Sequence, residues 1–168
     1  MLNNDTKIRI TTSKIALYGV LISLTTVATM VISIPTIATK GYVNLGDAIV
    51  LLSGLILGPA GGFLVGGLGS ALADILLGYA YYAPFTFIIK GVEGMLGVLL
   101  YKRLFKEKHV IIPLIMAGLW MATGYLLVEV FMYGFPAAIV SYPSNIIQGV
   151  IGAVLCTFLY KSVARYIK

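Results

Sequence analysis

Charged side chains are scarce in this sequence. Aspartate, glutamate, lysine and arginine make up 11% of the 168 residues, whereas a soluble globular domain typically carries about 25%. Hydrophobic residues make up 60% of the chain, and the mean hydropathy is +1.00. This composition excludes an ordinary soluble domain and predicts an integral membrane protein that forms one domain over residues 1–168.

The side chains of common metal and nucleophilic sites are almost absent as well. With one cysteine, Cys156, and one histidine, His109, the chain cannot form an internal disulfide. The same scarcity excludes an ordinary zinc or haem site and an intramembrane Ser–His protease. The glycine cluster at 58–69 contains no lysine, so there is no G-x-x-x-x-G-K-[ST] phosphate loop. We therefore expect no enzyme, metal or cofactor, and ATP hydrolysis would have to come from another chain.

Long apolar runs are present instead. A membrane-spanning helix needs about 20 mostly apolar residues. The first run has no early small-residue cleavage site, so we interpret it as a retained helix and not a signal peptide. The predicted fold is an all-α bundle of six spans, and the second span is short. The six spans cover residues 14–34, 45–58, 60–78, 84–104, 111–133 and 142–163.

The basic residues predict the orientation of the bundle. An even number of spans puts both termini on one side, and that side receives ten of the 12 lysines and arginines. The positive-inside rule makes it cytoplasmic. Because the basic residues fall in three separate segments without interleaved aromatics, they do not predict nucleic-acid binding. The ten are Lys7, Arg9, Lys14, Lys102, Arg103, Lys106, Lys108, Lys161, Arg165 and Lys168.

Five ionisable side chains nevertheless lie within the apolar runs, all toward the outer side: Asp47, Asp74, Lys90, Glu93 and Glu129. A charge inside the bilayer costs roughly 2.5–3.5 kcal/mol on insertion scales, so a partner or a ligand must compensate it. The inner half is almost purely apolar, which does not fit a proton or ion relay. The pattern predicts a polar pocket that is open outward and closed below.

Two motifs of this pocket leave alternatives open. Lys90 and Glu93 are three residues apart and share a helix face. They either line a ligand pocket or form a structural ion pair in which Glu93 or Glu129 neutralises the lysine. Asn145 and Gln148 have the same spacing, and their amides suit a heteroaromatic ligand or hydrogen bonds between helices. Four acids against one lysine favour a ligand that is neutral, donates hydrogen bonds or is a weak base.

The loops and small residues suggest further roles. Outer aromatics, Tyr82 among them, are typical of an interfacial belt, although some could stack on a planar ligand. The loop from Pro35 to Asn44 is long enough to act as a lid. Small residues repeat every four positions from Gly58 to Asp74, which predicts internal helix packing, and Gly19 and Ser23 repeat likewise on the first span.

Several segments together resemble the substrate-binding S components of energy-coupling factor (ECF) vitamin transporters. The resemblance runs from about residue 14 to the end of the chain. It is carried by residues 44–48, which lead into residues 57–62, and by residues 73–79, 86–91 and 145–149.

The resemblance implies a subunit of the bacterial cytoplasmic membrane that captures a vitamin or precursor with high affinity. Such a subunit docks onto a transmembrane T component that is bound to two cytoplasmic ATPases. Family members dock through an Ala-x-x-x-Ala pattern on the first helix; here Gly19 and Ser23, with Ala16 one turn earlier, match it only in size. The segments favour pyridoxine or hydroxymethylpyrimidine as substrate, with riboflavin next. The expected substrate-binding residues are Asp47, Tyr82, Thr86, Lys90, Glu93, Glu129, Asn145 and Gln148.

Two other classes of protein remain open from the sequence. A stand-alone secondary transporter would show inverted repeats and charges near the midplane of the membrane, and neither is evident here. A membrane scaffold would use the intramembrane charges only to pair with one another.

Overall fold

The computed structural model describes residues 12–36 and 38–167, and these form six helices and one short hairpin. The helices are α1 (Thr12–Val31), α2 (Asp47–Leu57), α3 (Pro59–Leu76), α4 (Ala83–Leu99), α5 (Ile111–Tyr133) and α6 (Phe135–Ile167). A π-helical turn, Leu100–Leu104, extends α4. Three of the ten basic residues that we predict to be cytoplasmic lie outside the described residues: Lys7, Arg9 and Lys168.

The predicted helices are present, but their lengths are unequal. Within the described part of the chain, five helices are long and apolar enough to cross a membrane, and α2 with 11 residues is shorter. The prediction of six spans therefore rests on α2, which would be about 16 Å long. The last helix begins at Phe135, seven residues before the predicted start, because the helix continues through Pro143.

Strand structure follows α1, where a longer first span was predicted. Strand β1 (Ser33–Pro35) pairs antiparallel with β2 (Tyr42–Asn44), in a register that sets Ile34 opposite Val43. This β1–β2 hairpin covers the ends of the helices. We call this end of the bundle, which also carries the turn between α3 and α4, the hairpin end.

The short helix α2 lies at the centre of the bundle. Its residues from Asp47 to Leu55 are all buried, and α1, α3, α4 and α6 pack around it. Leu51, Leu52 and Leu55 belong to an apolar core with Val98, Leu114 and Cys156. A helix enclosed by other helices has no need of an amphipathic pattern, and α2 has none.

Glycines bring the neighbouring helices into close contact. Gly62 of α3 and Gly94 of α4 face each other so closely that a Cβ on either would collide with the backbone of the other. Gly118 of α5 and Gly149 of α6 do the same. From Gly62 to Asp74 the small-residue stripe is thus internal packing, as predicted, since such stripes let helices approach closely in lipid, whereas a Cβ on Gly58 would meet nothing within 4 Å.

Candidate functional site

A small polar cavity lies at the hairpin end, enclosed by the hairpin and the helix ends. Its volume is about 30 Å³. Six of the eight predicted substrate-binding residues line it, and all six side chains are at most 6% exposed. These six are Tyr82, Thr86, Lys90, Glu129, Asn145 and Gln148.

Lys90 forms part of the cavity wall and is held by two carboxylates behind it. Its Nζ donates a hydrogen bond to Asp47 Oδ1 and another, of 3.0 Å, to Glu93 Oε2. All three side chains are at most 2% exposed. Asp47 and Glu93, which we expected to contact substrate, therefore do not line the cavity. Lys90 pairs with Glu93, as the structural ion-pair alternative predicted. Its second partner is Asp47 and not Glu129.

The position of Asp47 explains this difference. Lys90 lies seven residues into α4, about 10 Å from its start. Since Asp47 touches Lys90, α2 begins at that depth and not at the rim of the bundle, where the sequence placed it. The hairpin and residues 45–46 fill the space above it. Which side chains of two different helices pair depends on the depth of each residue in the bundle. The i, i+3 spacing in the sequence predicts pairs only within one helix.

Gln148 connects this charged cluster to the hairpin. Its Nε2 donates to both carboxylate oxygens of Asp47, at 3.1 and 3.2 Å. Its Oε1 accepts a 2.8 Å hydrogen bond from the backbone N–H of Asn44 in β2. Gln148 thus bonds two other parts of the protein while it also lines the cavity, so both predicted roles of this amide are compatible with its geometry.

Glu129 lies near the end of α5 and is held by hydroxyl groups. The Ser141 hydroxyl donates to Glu129 Oε2, and the Tyr82 hydroxyl lies 3.5 Å from Glu129 Oε1. The Tyr82 hydroxyl also donates to the Thr39 carbonyl at 3.0 Å. Burial, and then the neighbouring Glu129 charge, raise the pKa of Tyr82 well above its ordinary value. Tyr82 therefore remains a neutral hydrogen-bond donor at physiological pH.

A second tyrosine holds a further carboxylate at the cavity. The Tyr42 hydroxyl donates a 2.6 Å hydrogen bond to Asp74 Oδ1. Burial and the Asp74 charge raise the pKa of Tyr42 far above its ordinary value, which keeps the phenol protonated. Asp74 was one of the five charges noted in the sequence, but it was not among the expected substrate-binding residues.

Tyr125 and Thr29 are among the further lining residues that the sequence did not predict. The Tyr125 hydroxyl donates to Thr86 Oγ1 at 3.0 Å, and the Tyr125 ring centroid lies 5.9 Å from Lys90 Nζ, within cation–π range. Thr29 lines the cavity from α1. Thr25 and Thr29 are four residues apart on a largely apolar helix, and this spacing could have indicated a buried polar face.

The predicted lid segment, Pro35 to Asn44, comprises the last residue of β1, the connecting turn and β2, and residue 37 within it lies outside the described residues. Tyr81 and Tyr82 fasten that turn, because their hydroxyls donate to the carbonyls of Lys40 and Thr39 at 2.9 and 3.0 Å. Together with the Asn44–Gln148 bond, these contacts hold the hairpin over the cavity. That the segment opens and closes stays a prediction.

The three predicted docking residues do not line the cavity. Ala16, Gly19 and Ser23 are exposed on α1, where they line a shallow groove with Val20, Leu24 and Val27. A Cβ on Gly19 would meet nothing within 4 Å. Nothing else in the described chain packs on this face.

The apolar helices and the buried polar cavity at one end are features found in membrane proteins that bind a solute. No group of three metal-ligating side chains comes together in the described ranges. The family model of the ECF-type riboflavin transporter S component matches residues 9–165. The chain therefore belongs to the ECF S-component family, as the sequence resemblance predicted. It is a membrane-embedded subunit of a transporter family, not of an enzyme family.

Two relatives accompany this match. An uncharacterized protein encoded in the gap 3′ region of Pyrococcus woesei is 36% identical over 130 residues, which cover 77% of this chain and 87% of that protein. The thiamine precursor transporter HmpT of Lactococcus lactis subsp. cremoris is 29% identical over 154 residues, 90% of this chain and 88% of that protein.

Proposed function

We propose that this protein captures a small vitamin or vitamin precursor with high affinity for an ECF-type ABC importer. The observation that carries the proposal is the buried cavity with its six predicted polar residues in a chain of the S-component family. Ligand pockets combine enclosure with a few placed polar groups that fix orientation.

The size of the cavity favours a one-ring substrate. A volume of about 30 Å³ is far below the roughly 300–1,000 Å³ of typical ligand pockets. Any vitamin therefore requires the lining to move, and the hairpin is the part that can move without disturbing a helix. A single ring requires less expansion than the three rings of riboflavin. Pyridoxine or hydroxymethylpyrimidine is our first choice and riboflavin the next, and the name of the Lactococcus lactis relative points the same way.

The polar residues divide into contacts and supports. We assign ligand contacts to Tyr82, Thr86, Glu129 and Asn145, and to the faces of Lys90 and Gln148 that line the cavity. Asp47 and Glu93 act through Lys90, because they compensate its charge from behind.

Transport would need other chains. We propose that the exposed groove on α1, around Ala16, Gly19 and Ser23, docks onto a transmembrane T component that carries two cytoplasmic ATPases. The protein would lie in a bacterial cytoplasmic membrane with six spans and both termini inside. The concentration of basic residues at 102–108, at the end of the bundle opposite the hairpin, supports that orientation.

Binding to the purified chain tests the proposal directly. We expect native mass spectrometry or a thermal-shift screen of vitamins to find one ligand that binds the detergent-purified protein. Asn145→Ala should weaken that binding, whereas Ser144→Ala, its neighbour on another face of α6, should not. A chain that binds no vitamin would favour the scaffold alternative. Uptake by this chain alone, without T component and ATPases, would contradict the ECF role and favour a secondary transporter.

A further inference from the structure

Acidic side chains outnumber basic side chains in the lining of the cavity. Lys90, Asp74 and Glu129 line it, and Lys90 is already paired with Asp47 and Glu93 behind it. These are the only ion pairs within residues 12–36 and 38–167. Asp74 and Glu129 thus face the cavity without a cation of their own, and the lining offers two carboxyl groups that no lysine or arginine pairs with.

One end of the cavity also holds two polar atoms that lack partners. Asp74 Oδ2 and Thr29 Oγ1 are buried and make no hydrogen bond with any described residue, and their side chains are 3% and 1% exposed. Buried polar groups are nearly always hydrogen-bonded, because leaving one unpaired costs free energy. Tyr42 holds Asp74 Oδ1, which fixes the carboxyl and leaves Oδ2 free.

A ligand that supplies a donor would satisfy both observations. Resting on the proposed function, we propose that Asp74 recognises an N–H group of the substrate, and that the substrate is an amino-substituted, weakly basic nitrogen heterocycle. Asp74 Oδ2 accepts the hydrogen bond from the ligand nitrogen, and the Thr29 hydroxyl makes a second contact. The lining disfavours ligands that carry a phosphate or carboxylate, because it presents the carboxyl groups of Asp74 and Glu129 and has no free cation to receive an anion.

Calorimetry on the purified chain tests this assignment with four probes. These are the amino-substituted hydroxymethylpyrimidine, its phosphate ester, pyridoxine and riboflavin. We expect the aminopyrimidine to bind most tightly and its phosphate ester at least about 10-fold more weakly. Asp74→Asn replaces the accepting oxygen with an amide and should weaken aminopyrimidine binding by about 10- to 100-fold, the range of a hydrogen bond to a charged group.

Two further variants keep the result interpretable. Tyr42→Phe removes the hydroxyl that holds Asp74 but keeps the carboxylate, so it should cost much less affinity than Asp74→Asn. Thr29→Val keeps the shape of the side chain and removes its hydroxyl, so it tests the same end of the cavity if Asp74→Asn does not fold. We expect it to weaken aminopyrimidine binding several-fold.

The outcomes separate this inference from the proposed function. Unchanged aminopyrimidine affinity in a folded Asp74→Asn, or in Thr29→Val where the former does not fold, would overturn the inference. Tight binding of riboflavin or pyridoxine with none of the aminopyrimidine would also overturn it, while the capture function would stand. A wild-type protein that binds none of the four probes would contradict the inference and also the substrates named under the proposed function, and the vitamin screen would then decide whether capture itself stands.

Discussion

At the scale of single residues, the site depends most on Lys90. It is 2% exposed, and each of its two hydrogen-bond partners is a carboxylate that is fully buried. Within a membrane protein an isolated charge of this kind is costly, and opposite charges in contact reduce the cost. The cluster binds α2 to α4 at the level of the cavity.

Removing only the lysine should destabilise the fold. Lys90→Met leaves Asp47 and Glu93 buried without a cation, and we expect a loss of about 3–5 kcal/mol, the range for breaking a buried pair by removing one partner. Thermal unfolding of the detergent-purified protein, followed by intrinsic fluorescence, measures the loss as a lowered midpoint.

The matched control removes the charges together. Lys90→Met combined with Asp47→Asn and Glu93→Gln leaves no unpaired charge, so it should recover much of the lost stability. A single Lys90→Met variant as stable as the wild type would show that the three charges do not stabilise each other.

The sequence predicted part of this residue-scale arrangement. The spacing of Lys90 and Glu93 placed both on one face of a helix, and the structure confirms their contact. The Asp47 partner was not predicted, because it depends on how far α2 is displaced along α4. The apolar residues of α2 do not encode that displacement in any periodic pattern.

At the scale of elements, helix positions were predictable and hairpin structure was not. Long apolar runs define α1, α3, α4 and α5 almost as predicted, since a span needs about 20 apolar residues whatever its neighbours. The β1–β2 hairpin has three-residue strands with no clear alternation of apolar and polar residues, so the sequence showed only a loop. The predicted start of α6 was too late, because the helix runs through Pro143, a residue that usually begins or interrupts a helix.

The exposed face of α1 gives a prediction at the element scale. Gly19 lies in the shallow groove, and its missing side chain allows another helix to approach closely. Gly19→Leu should therefore reduce co-purification with the T component and its ATPases by about 10-fold or more, as one overpacked contact can. Vitamin binding and thermal stability should stay unchanged, because nothing within 4 Å of that position would be disturbed.

Thr123→Leu serves as the matched control. Thr123 is exposed on α5, so the substitution also adds a large side chain to an exposed face, but away from α1. It should leave the complex intact. Equal complex formation by Gly19→Leu and the wild type would place the docking surface elsewhere.

At the scale of the whole molecule, polar and basic groups collect at opposite ends. The cavity and its buried charges lie at the hairpin end, and the basic run Lys102, Arg103, Lys106 and Lys108 lies between α4 and α5 at the other. Burying α2 at the centre lets an 11-residue helix belong to the bundle without contacting much lipid. Whether α2 also crosses the membrane decides if the termini lie on the same side, because an odd number of spans would separate them.

Labelling of single cysteines determines that topology. Cys156 is the one native cysteine and is fully buried, so Cys156→Ala gives a background without reactive thiols. Three exposed positions then report on successive turns: Ala60 after α2, Ala80 after α3 and Lys108 after α4. We expect a membrane-impermeant maleimide to label Ala80→Cys in intact cells, and Ala60→Cys and Lys108→Cys only after permeabilisation, since the positive-inside rule places the basic loop in the cytoplasm.

Labelling of Ala60→Cys from outside would mean that α2 does not cross the membrane, and the six-span topology would then be wrong. Labelling of Lys108→Cys from outside would reverse the orientation, and the cavity would then open toward the cytoplasm, where it could not capture a vitamin for import.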